Sequence, residues 1–245
     1  MLIHADVSGL ELATAAYLSQ DPVLIQELSS GMDIHADNQK RWNLPERVIA
    51  KIFVFKLLYG GTGFGFANQV EFQHISKSQK FWDKRIEDFY NKYIGIRKWH
   101  ESLVREVCSS GRLVMPTGRT WVFPIKDVLD RLWYWRSKIL NYPVQGTGAD
   151  LVAIGRVTSW KRLRRDGLHV LWQSTVHDSI DIDVPLDKGD PPCYNNVCKV
   201  IDSSIRDIPS NFYRLWGKPF NVPIKAEILI GPNLGELKEW QKSPS

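Results

Sequence analysis

Residues 168–184 read Leu168-His169-Val170-Leu171-Trp172-Gln173-Ser174-Thr175-Val176-His177-Asp178-Ser179-Ile180-Asp181-Ile182-Asp183-Val184. In the second half of this stretch, Ile and Val at positions 180, 182 and 184 alternate with two aspartates. A period of two is typical of a half-buried β-strand. Residues 168–176 form a preceding strand, and the two strands meet at His177-Asp178-Ser179. We therefore predict an antiparallel hairpin that carries Asp178 at its tip.

Two further segments predict strands, one at each end of the chain. Residues 1–8 form an apolar segment, which indicates a short buried strand with Asp6 near its end, and residues 223–230 form the last strand. Asp6 and Asp178 each follow or end a strand, where side chains are held rigidly. Two converging carboxylates bind two divalent metals in phosphoryl-transfer sites. Alternatively, Asp6 caps the next helix and Asp178 is a turn residue, since Asp is common at both positions.

The rest of the chain has mostly helical patterns. The predicted helices begin near Glu11, at Asp21-Pro22 (ending at Gly31), at Asp33 (ending near Trp42), at Pro45 (the longest, ending at Gly60-Gly61) and after Asn141 (running toward Arg165 and ended by Gly167). The middle, residues 61–136, is mostly helical and contains a hairpin-like segment at 111–124. Residues 187–195 are predicted to be loop-rich, and a helical segment follows them.

The helix that starts at Pro45 carries an unusual stripe. Arg47, Lys51, Phe55 and Tyr59 are spaced four residues apart, so they lie along one helix face. Two cations followed by two aromatic rings suit a ligand with a polyphosphate at one end and a flat base at the other. The alternative is an amphipathic helix whose aromatic residues are core and whose cations are solvated.

A third segment combines small residues with amides. Residues 141–150 read Asn141-Tyr142-Pro143-Val144-Gln145-Gly146-Thr147-Gly148-Ala149-Asp150. Small residues allow close backbone approach, and Asn141 and Gln145 offer both donors and acceptors. The simpler interpretation is a glycine-containing helix start that packs tightly.

The composition is that of an ordinary globular protein. The 245 residues carry a net charge of +5, which suits a phosphate-rich partner. Three cysteines are too few for a disulfide framework and indicate free thiols. The N-terminus lacks the features of a signal peptide, and lysines interrupt the most apolar stretch, residues 49–58. We therefore expect a soluble, intracellular, cytoplasmic protein without a membrane span.

Together these segments resemble the polymerase region of family A, or polymerase I-like, DNA polymerases, and phage members most closely. The matching motifs are Asp6-Val7-Ser8-Gly9-Leu10-Glu11-Leu12, Arg47-x-x-x-Lys51-x-x-x-Phe55-x-x-x-Tyr59-Gly60, residues 141–150, Val176-His177-Asp178-Ser179 and Gly231-Pro232-Asn233-Leu234-Gly235-Glu236-Leu237. Their order and spacing hold over nearly the whole chain. The resemblance implies an α+β fold, in which a palm with an antiparallel sheet carries a helical fingers subdomain. The palm would comprise residues 1–36 and 137–245, and the fingers residues 37–136.

The resemblance also implies a reaction and its metals. The function would be template-directed addition of dNTPs to the 3′ end of a DNA primer. The resemblance suggests a phage source, hence the host cytoplasm, and leaves DNA replication and repair both open as the setting. Asp6 and Asp178 would be the catalytic residues and would hold two Mg²⁺ ions, with the carbonyl of Val7 as a further ligand. The 3′-hydroxyl would attack the α-phosphate, and pyrophosphate would leave.

The incoming nucleotide would meet the stripe on the Pro45 helix. By resemblance, Arg47, Lys51 and His35 bind its triphosphate, and Phe55 and Tyr59 stack on or beside the nascent base pair. Tyr59 would move as the fingers close.

Further contacts follow from the same resemblance. Glu11 would lie under the sugar and exclude a 2′-hydroxyl, which selects deoxynucleotides. Asn141, Gln145 and His177 would contact the DNA around the primer end. One position departs from the family, because Ser179 replaces the acid that usually follows the last aspartate.

A larger departure concerns what precedes the first motif. Family members have a thumb, further palm strands and usually an exonuclease domain there, whereas Met1 stands five residues before Asp6. We therefore expect a split polymerase, completed by a second polypeptide that supplies the thumb and exonuclease domains. Two other interpretations stay open: a catalytically inactive nucleic-acid-binding subunit or gene remnant, and a related single-chain RNA polymerase.

Overall fold

A computed structural model describes residues 1–185 and 193–241. The strands are β1 Leu2–Ser8, β2 Arg112–Val114, β3 Thr120–Val122, β4 Leu171–Val176, β5 Ser179–Asp183, β6 Lys225–Gly231 and β7 Lys238–Glu239. The helices are α1 Leu10–Ser19, α2 Pro22–Ser30, α3 Ile34–Arg41, α4 Arg47–Leu58, α5 Gly63–Asn68, α6 Val70–Gln73, α7 Gln79–Lys92, α8 Ile94–Ser110, α9 Ile125–Asp130, α10 Leu132–Arg165, α11 Cys193–Arg206 and α12 Ile208–Trp216. The fold is α+β, as predicted.

The chain forms two compact units. The first comprises residues 1–13 and 147–245, and the second comprises residues 14–146. Both α1 and α10 cross the division. The palm and fingers ranges are defined by function, whereas these two units are defined by compactness. The division into palm and fingers therefore stays a prediction.

The first unit contains the sheet. Its five antiparallel strands lie in the order β4-β5-β1-β6-β7, so β1 is central. Alternate residues of β1, namely Ile3, Ala5 and Val7, are fully buried, as a period of two requires. Helix α11 packs against β1 and β6 with an apolar stripe that includes Val197 and Ile201. The opposite face of β1 carries His4 and Asp6, and this polar face bears the candidate site.

The second unit is helical around an aromatic core. The buried rings come from α4, α5, α6 and α7 and from the α3–α4 connection: Phe53, Phe66, Phe72, Trp82, Phe89 and Trp42. Adjacent rings in this group have centroids 4.7–6.0 Å apart in tilted or edge-to-face arrangements. The small hairpin β2-β3 and helices α8, α9 and α10 enclose a second cluster around Leu113, Ile139 and Leu140.

Local sequence signals set most element ends. The Asp21 carboxylate accepts a hydrogen bond from the Leu24 amide and caps α2, which has proline at its first position. Gly31 ends α2 in the left-handed conformation with φ +74°. Gly60, with φ +81°, follows α4 in the same way, as predicted.

Three expectations about helices were wrong. Helix α10 begins at Leu132 and not after Asn141, because Pro143 lies within the helix instead of at its start. It has 34 residues, so α4, with 12, is not the longest helix. Residues 193–195 belong to α11, and the rest of the predicted loop, residues 187–192, lies outside the described residues.

Cys108 and Cys198 are free thiols. Across residues 1–185 and 193–241, every helix is too short or too polar to span a bilayer.

Candidate active site

The sheet brings Asp6 and Asp178 together. Asp6 pairs with Ser179 across β1 and β5, and Asp178 precedes Ser179 in the two-residue turn between β4 and β5. The backbone amide of Val7 donates a 3.0 Å hydrogen bond to the Asp178 carbonyl, which ties the turn to β1. As a result, the two carboxyl groups lie within hydrogen-bonding reach, although 172 positions separate them in the sequence.

A third carboxylate faces this pair. Glu227 on β6 is the direct ladder partner of Asp6 and projects from the same face of the sheet. The pKa of Asp6 is raised to about 6. Burial is the largest cause, and the negative charges of Asp178 and Glu227 add to it. Glu227 was missed in the sequence because only the β1–β6 register, which a single sequence does not reveal, places it opposite Asp6.

The hairpin turn itself is a tight one. His177 has φ +53°, a left-handed conformation that is uncommon for a residue other than glycine. Ser179, which stands where the family has an acid, is buried, and its hydroxyl donates to the Val176 carbonyl at 2.9 Å. That hydroxyl therefore stabilises the turn from within.

The acidic cluster fits divalent cations. Mutual repulsion between the Asp6 and Asp178 carboxylates is a cause of the raised pKa, and a bound cation would remove it. Among the described residues, no group of three or more His, Cys, Asp or Glu side chains forms a protein-only metal site. Magnesium rarely uses such a cage, since it is usually held by one or two carboxylates together with water and substrate phosphates. Asp6 and Asp178, with the main chain of Val7 beside them, suit that mode.

The second unit carries the stripe on α4. The buried residues of this helix are Ile49, Ala50, Phe53, Val54, Leu57 and Leu58. Arg47 and Lys51 are exposed, and Phe55 and Tyr59 are only half-buried, so none of the four stripe residues belongs to the buried set. The two cations are solvated, as the alternative interpretation expects, whereas neither ring is fully buried.

Two cations lie at the start of this stripe. The Arg47 Nε lies 2.8 Å from an Asp33 oxygen, and both side chains are about half exposed. Asp33 also caps α3 by accepting from the Ala36 amide. Because exposed ion pairs contribute at most about 1 kcal/mol, an arriving phosphate competes readily for Arg47. Lys51 lies 6.0 Å from the centroid of the Phe55 ring.

His35 lies behind these cations. It is 9% exposed, and its ring centroid is 5.7 Å from that of Phe55. The pKa of His35 is lowered to about 4. Burial is the largest cause, and the positive charges of Arg47 and Lys51 add to it. Its Nδ1 is buried without a hydrogen-bond partner. His35 is therefore a neutral imidazole with one unused polar atom.

The end of the stripe contacts α10. The Gln145 side-chain amide donates a 2.8 Å hydrogen bond to the Tyr59 hydroxyl. Asn141 lies one turn before Gln145 on the same helix and is half-buried. A Cβ at Gly146 would lie 2.9 Å from the Trp121 ring, so this glycine permits close packing of α10 on β3. The tight packing of the simpler interpretation is present, although the segment lies inside α10 and not at a helix start.

The predicted residues thus form two groups. In the first unit, Asp6, Val7, His177 and Asp178 meet at one end of the sheet, and Glu11 lies half-buried in the first turn of α1. In the second unit, His35, Arg47, Lys51 and Phe55 form one cluster, and Tyr59 and Gln145 form a pair.

Comparison with known proteins gives consistent matches. The model of DNA polymerase family A matches residues 1–236. DNA polymerase I of Chloroflexus aurantiacus is 27% identical over 96% of this chain and 24% of its own length. The DNA polymerase of Bacillus phage SP01 is 25% identical over 98% of this chain and 26% of its own. The chain therefore spans about a quarter of the length of these curated relatives.

A solved structure has the same fold. The POL domain of Pol1 from M. smegmatis, in complex with DNA primer-template and dNTP, superimposes with a TM-score of 0.77 at 22% identity. The match covers 94% of this chain and 39% of that chain.

Proposed function

The chain belongs to DNA polymerase family A, and from that premise we propose that it catalyses template-directed addition of deoxynucleotides to a DNA primer. The 3′-hydroxyl would lose its proton and attack the α-phosphorus, forming a new P–O bond while the bond to pyrophosphate breaks. Two Mg²⁺ ions, when bound, would activate the hydroxyl and neutralise charge on the leaving pyrophosphate. The solved POL domain holds primer-template and dNTP, which supports these as substrates.

The observation that carries the proposal is the contact between Asp6 and Asp178. Their carboxyl groups approach within hydrogen-bonding reach, and the raised pKa of Asp6 shows that ionising both of them is unfavourable. A fold gains nothing in stability from unpaired carboxylates held together, so such clusters are typical of functional sites. In the proposed role, both carboxylates and the Val7 carbonyl hold the metals.

Nucleotide binding is assigned to the α4 cluster. Lys51 and Arg47 would neutralise the triphosphate, and Arg47 would exchange Asp33 for phosphate oxygens. His35 would donate or accept through its unused Nδ1. Phe55 and Tyr59 would present ring faces to the nascent base pair, and Tyr59 would leave Gln145 to do so.

The remaining predicted roles concern the sugar and the primer. Glu11 would lie under the sugar and reject a 2′-hydroxyl, which argues for DNA rather than RNA synthesis. Asn141, Gln145 and His177 would contact the primer end. In the proposed closing step, Gln145 is released from Tyr59 and becomes available to the minor groove.

A second polypeptide is part of the proposal. The relatives are about four times as long as the matched region, which supports a need for further segments around the duplex. We propose that a separate chain supplies thumb and exonuclease domains. Co-expression with such a chain should yield a stable complex that extends primers processively. If the same segments precede these residues in one longer protein, that protein will be active without a second chain.

Primer extension tests the activity directly. Wild type and Asp178→Asn are compared with Mg²⁺, a labelled primer-template and either dNTPs or NTPs, with and without the candidate second chain. We expect the dNTP reaction to require Asp178, while duplex affinity of the variant stays within about twofold. Equal extension by both proteins would refute the metal-site assignment, and preferential use of NTPs would favour an RNA polymerase.

One observation favours a second candidate, an inactive nucleic-acid-binding subunit. Ser179 replaces an acid, and its hydroxyl is committed to the Val176 carbonyl. Ser179→Glu discriminates between the two. If wild type is inactive in every combination and this variant gains extension, the chain is a binding subunit with a degenerate site.

A further inference from the structure

The start of α10 presents an aromatic surface that the proposed active site does not use. Trp133 is 81% exposed, and Tyr134 beside it is 43% exposed. Their ring centroids are 6.1 Å apart in an edge-to-face arrangement. Together with Arg131 and Lys138, these two residues form what we call the α10 platform. Because so little of the Trp133 indole is covered by the protein, most of its surface is open to a partner.

The neighbouring side chains show that the platform faces away from the core. Leu132 and Trp135 pack against the buried cluster around Ile139 and Leu140. The Trp135 Nε1 donates to Asp127 at 2.8 Å, which fixes that ring inward. Because residues on a helix alternate between faces with a period of 3.6, the inward placement of 132 and 135 leaves 133 and 134 outward.

Positive charge surrounds the exposed rings. The Lys138 ammonium lies 4.1 Å from the centroid of the Tyr134 ring, and the Arg131 guanidinium lies 5.6 Å from it. Residues 126–138 contain four cationic and two acidic side chains, and the ion pair between Arg131 and Asp127 cancels one charge of each sign, so an excess of two positive charges remains. The first turn of α10 contains no acid of its own, although Asp127 of α9 contacts Trp135 there. The platform therefore favours an anionic partner.

We propose that the α10 platform binds single-stranded DNA, with a base stacked on Trp133 and adjacent phosphates near Lys138 and Arg131. Flat rings interleaved with cations are the usual means of binding unpaired strands. The strand must be single, because the faces of bases within a duplex are already stacked on one another. An acidic protein segment would use the same charges but would gain little from an exposed indole face that stacks on bases.

The inference rests on the proposed function only for its biological setting, which would be the unpaired template strand. Binding itself is independent of catalysis, so the two fail separately. Loss of oligonucleotide binding in Trp133→Ala with normal primer extension would support the platform and leave the active site intact. Conversely, an inactive Asp178→Asn protein should bind the oligonucleotide as wild type does.

The experiment measures the affinity of the full chain for fluorescein-labelled (dT)16 by anisotropy at several salt concentrations. Stacking contributions predict that Trp133→Ala weakens binding by roughly 5- to 150-fold, whereas Trp133→Phe stays close to wild type. Lys138→Ala should reduce the slope of log affinity against log salt by about 0.7. The control is Tyr213→Ala, which removes an aromatic ring of 59% exposure on α12.

Two results would overturn the proposal. One is unchanged (dT)16 affinity in Trp133→Ala. The other is an equal loss in the Tyr213→Ala control, which would indicate nonspecific adhesion to exposed rings. Circular dichroism checks that each variant folds. Because Trp133 is 81% exposed, its replacement should change stability little.

Discussion

Lys92 lies in a buried ionic network that should dominate the stability of the helical unit. Its side chain is 5% exposed, and its ammonium lies 2.8 Å from Glu27 and 2.9 Å from Asp37. A third contact, at 2.7 Å, is to the Asn38 amide oxygen. The Tyr93 hydroxyl donates to Glu27 at 2.8 Å. Replacing Lys92 with Met keeps most of the volume and removes the charge.

The size of the effect follows from burial. Glu27 is only 9% exposed, so Lys92→Met leaves a buried carboxylate whose remaining partner is a neutral hydroxyl. Breaking a buried pair in this way costs about 3–5 kcal/mol. The half-exposed Asp37 adds little, since solvent screens it. For a chain of this size we expect Tm to fall by roughly 6–20 °C.

The double variant distinguishes a charge effect from lost packing. Replacing Glu27 as well, in Glu27→Met/Lys92→Met, removes the orphaned charge and should recover most of the stability, because apolar replacements of buried pairs are often neutral. The Tyr93 hydroxyl then still accepts from Asn38 at 3.1 Å. Lys84→Met, on the exposed side of the same helix, is the matched control and should lie within about 0.5 kcal/mol of wild type.

Urea denaturation followed by circular dichroism gives these free energies. The pKa of Asp37 is lowered chiefly by its hydrogen bond to Lys92, so its contribution exists above its ordinary value of 3.8 and disappears as pH falls. Lys92→Met should therefore reduce the loss of stability in acid. A Lys92→Met protein within 1 kcal/mol of wild type would refute the argument that this network stabilises the unit.

Three other changes test the site and its support. Asp6→Asn should stabilise the metal-free protein by about 1–2 kcal/mol at pH 7 while abolishing extension, because the raised pKa of Asp6 makes wild-type stability fall as pH rises from about 4 to 6. Denaturation at pH 4.5 and 7.5 checks this, and an Asp6→Asn protein with the same pH slope as wild type would contradict it. Lys51→Ala should raise the KM for dNTP about tenfold or more and leave duplex affinity nearly unchanged. The control is Lys40→Ala, since Lys40 is exposed on α3. An equal rise in KM for Lys40→Ala would count against a specific role of Lys51. Gly146→Ala should destabilise by about 1–3 kcal/mol, because its Cβ would lie 2.9 Å from the Trp121 ring; thermal unfolding with no change in Tm would show that the hairpin yields freely.

Features that are set by residues close together in the sequence could be predicted from it. Strand β5 follows from the alternation of Ile180 and Ile182 with Asp181, although the structure buries Asp181 as well, so the expectation of a half-buried strand was wrong. The start and end of α2 follow from Asp21, Pro22 and Gly31. The exposed stripe on α4 follows from four-residue spacing, although only the structure shows that the core uses the opposite positions. In each case, the residues that set the feature lie within 12 positions of one another in the sequence.

Features that depend on tertiary contacts could not be predicted. Pro143 indicates a helix start, yet α10 continues through it because packing of Ile139 and Leu140 in the hairpin cluster stabilises the turns before it. Glu227 requires the β1–β6 register to be known before it can be placed opposite Asp6. Lys92 and Glu27 are 65 positions apart, and neither lies in a recognisable motif.

Glu27 and Asp6 are two carboxylates in environments of opposite kind. Glu27 is neutralised by Lys92, so the network stabilises a helical scaffold and leaves nothing for a ligand to satisfy. Asp6 faces Asp178 and Glu227, whose negative charges raise its pKa more than the nearby His4 lowers it, so the sheet retains a repulsion that a bound metal would relieve. That repulsion opposes folding of the metal-free protein, and a bound cation would relieve it. Added Mg²⁺ should therefore stabilise wild type more than Asp6→Asn at pH 7, and an equal shift in both would mean that the carboxylate pair does not hold the metal.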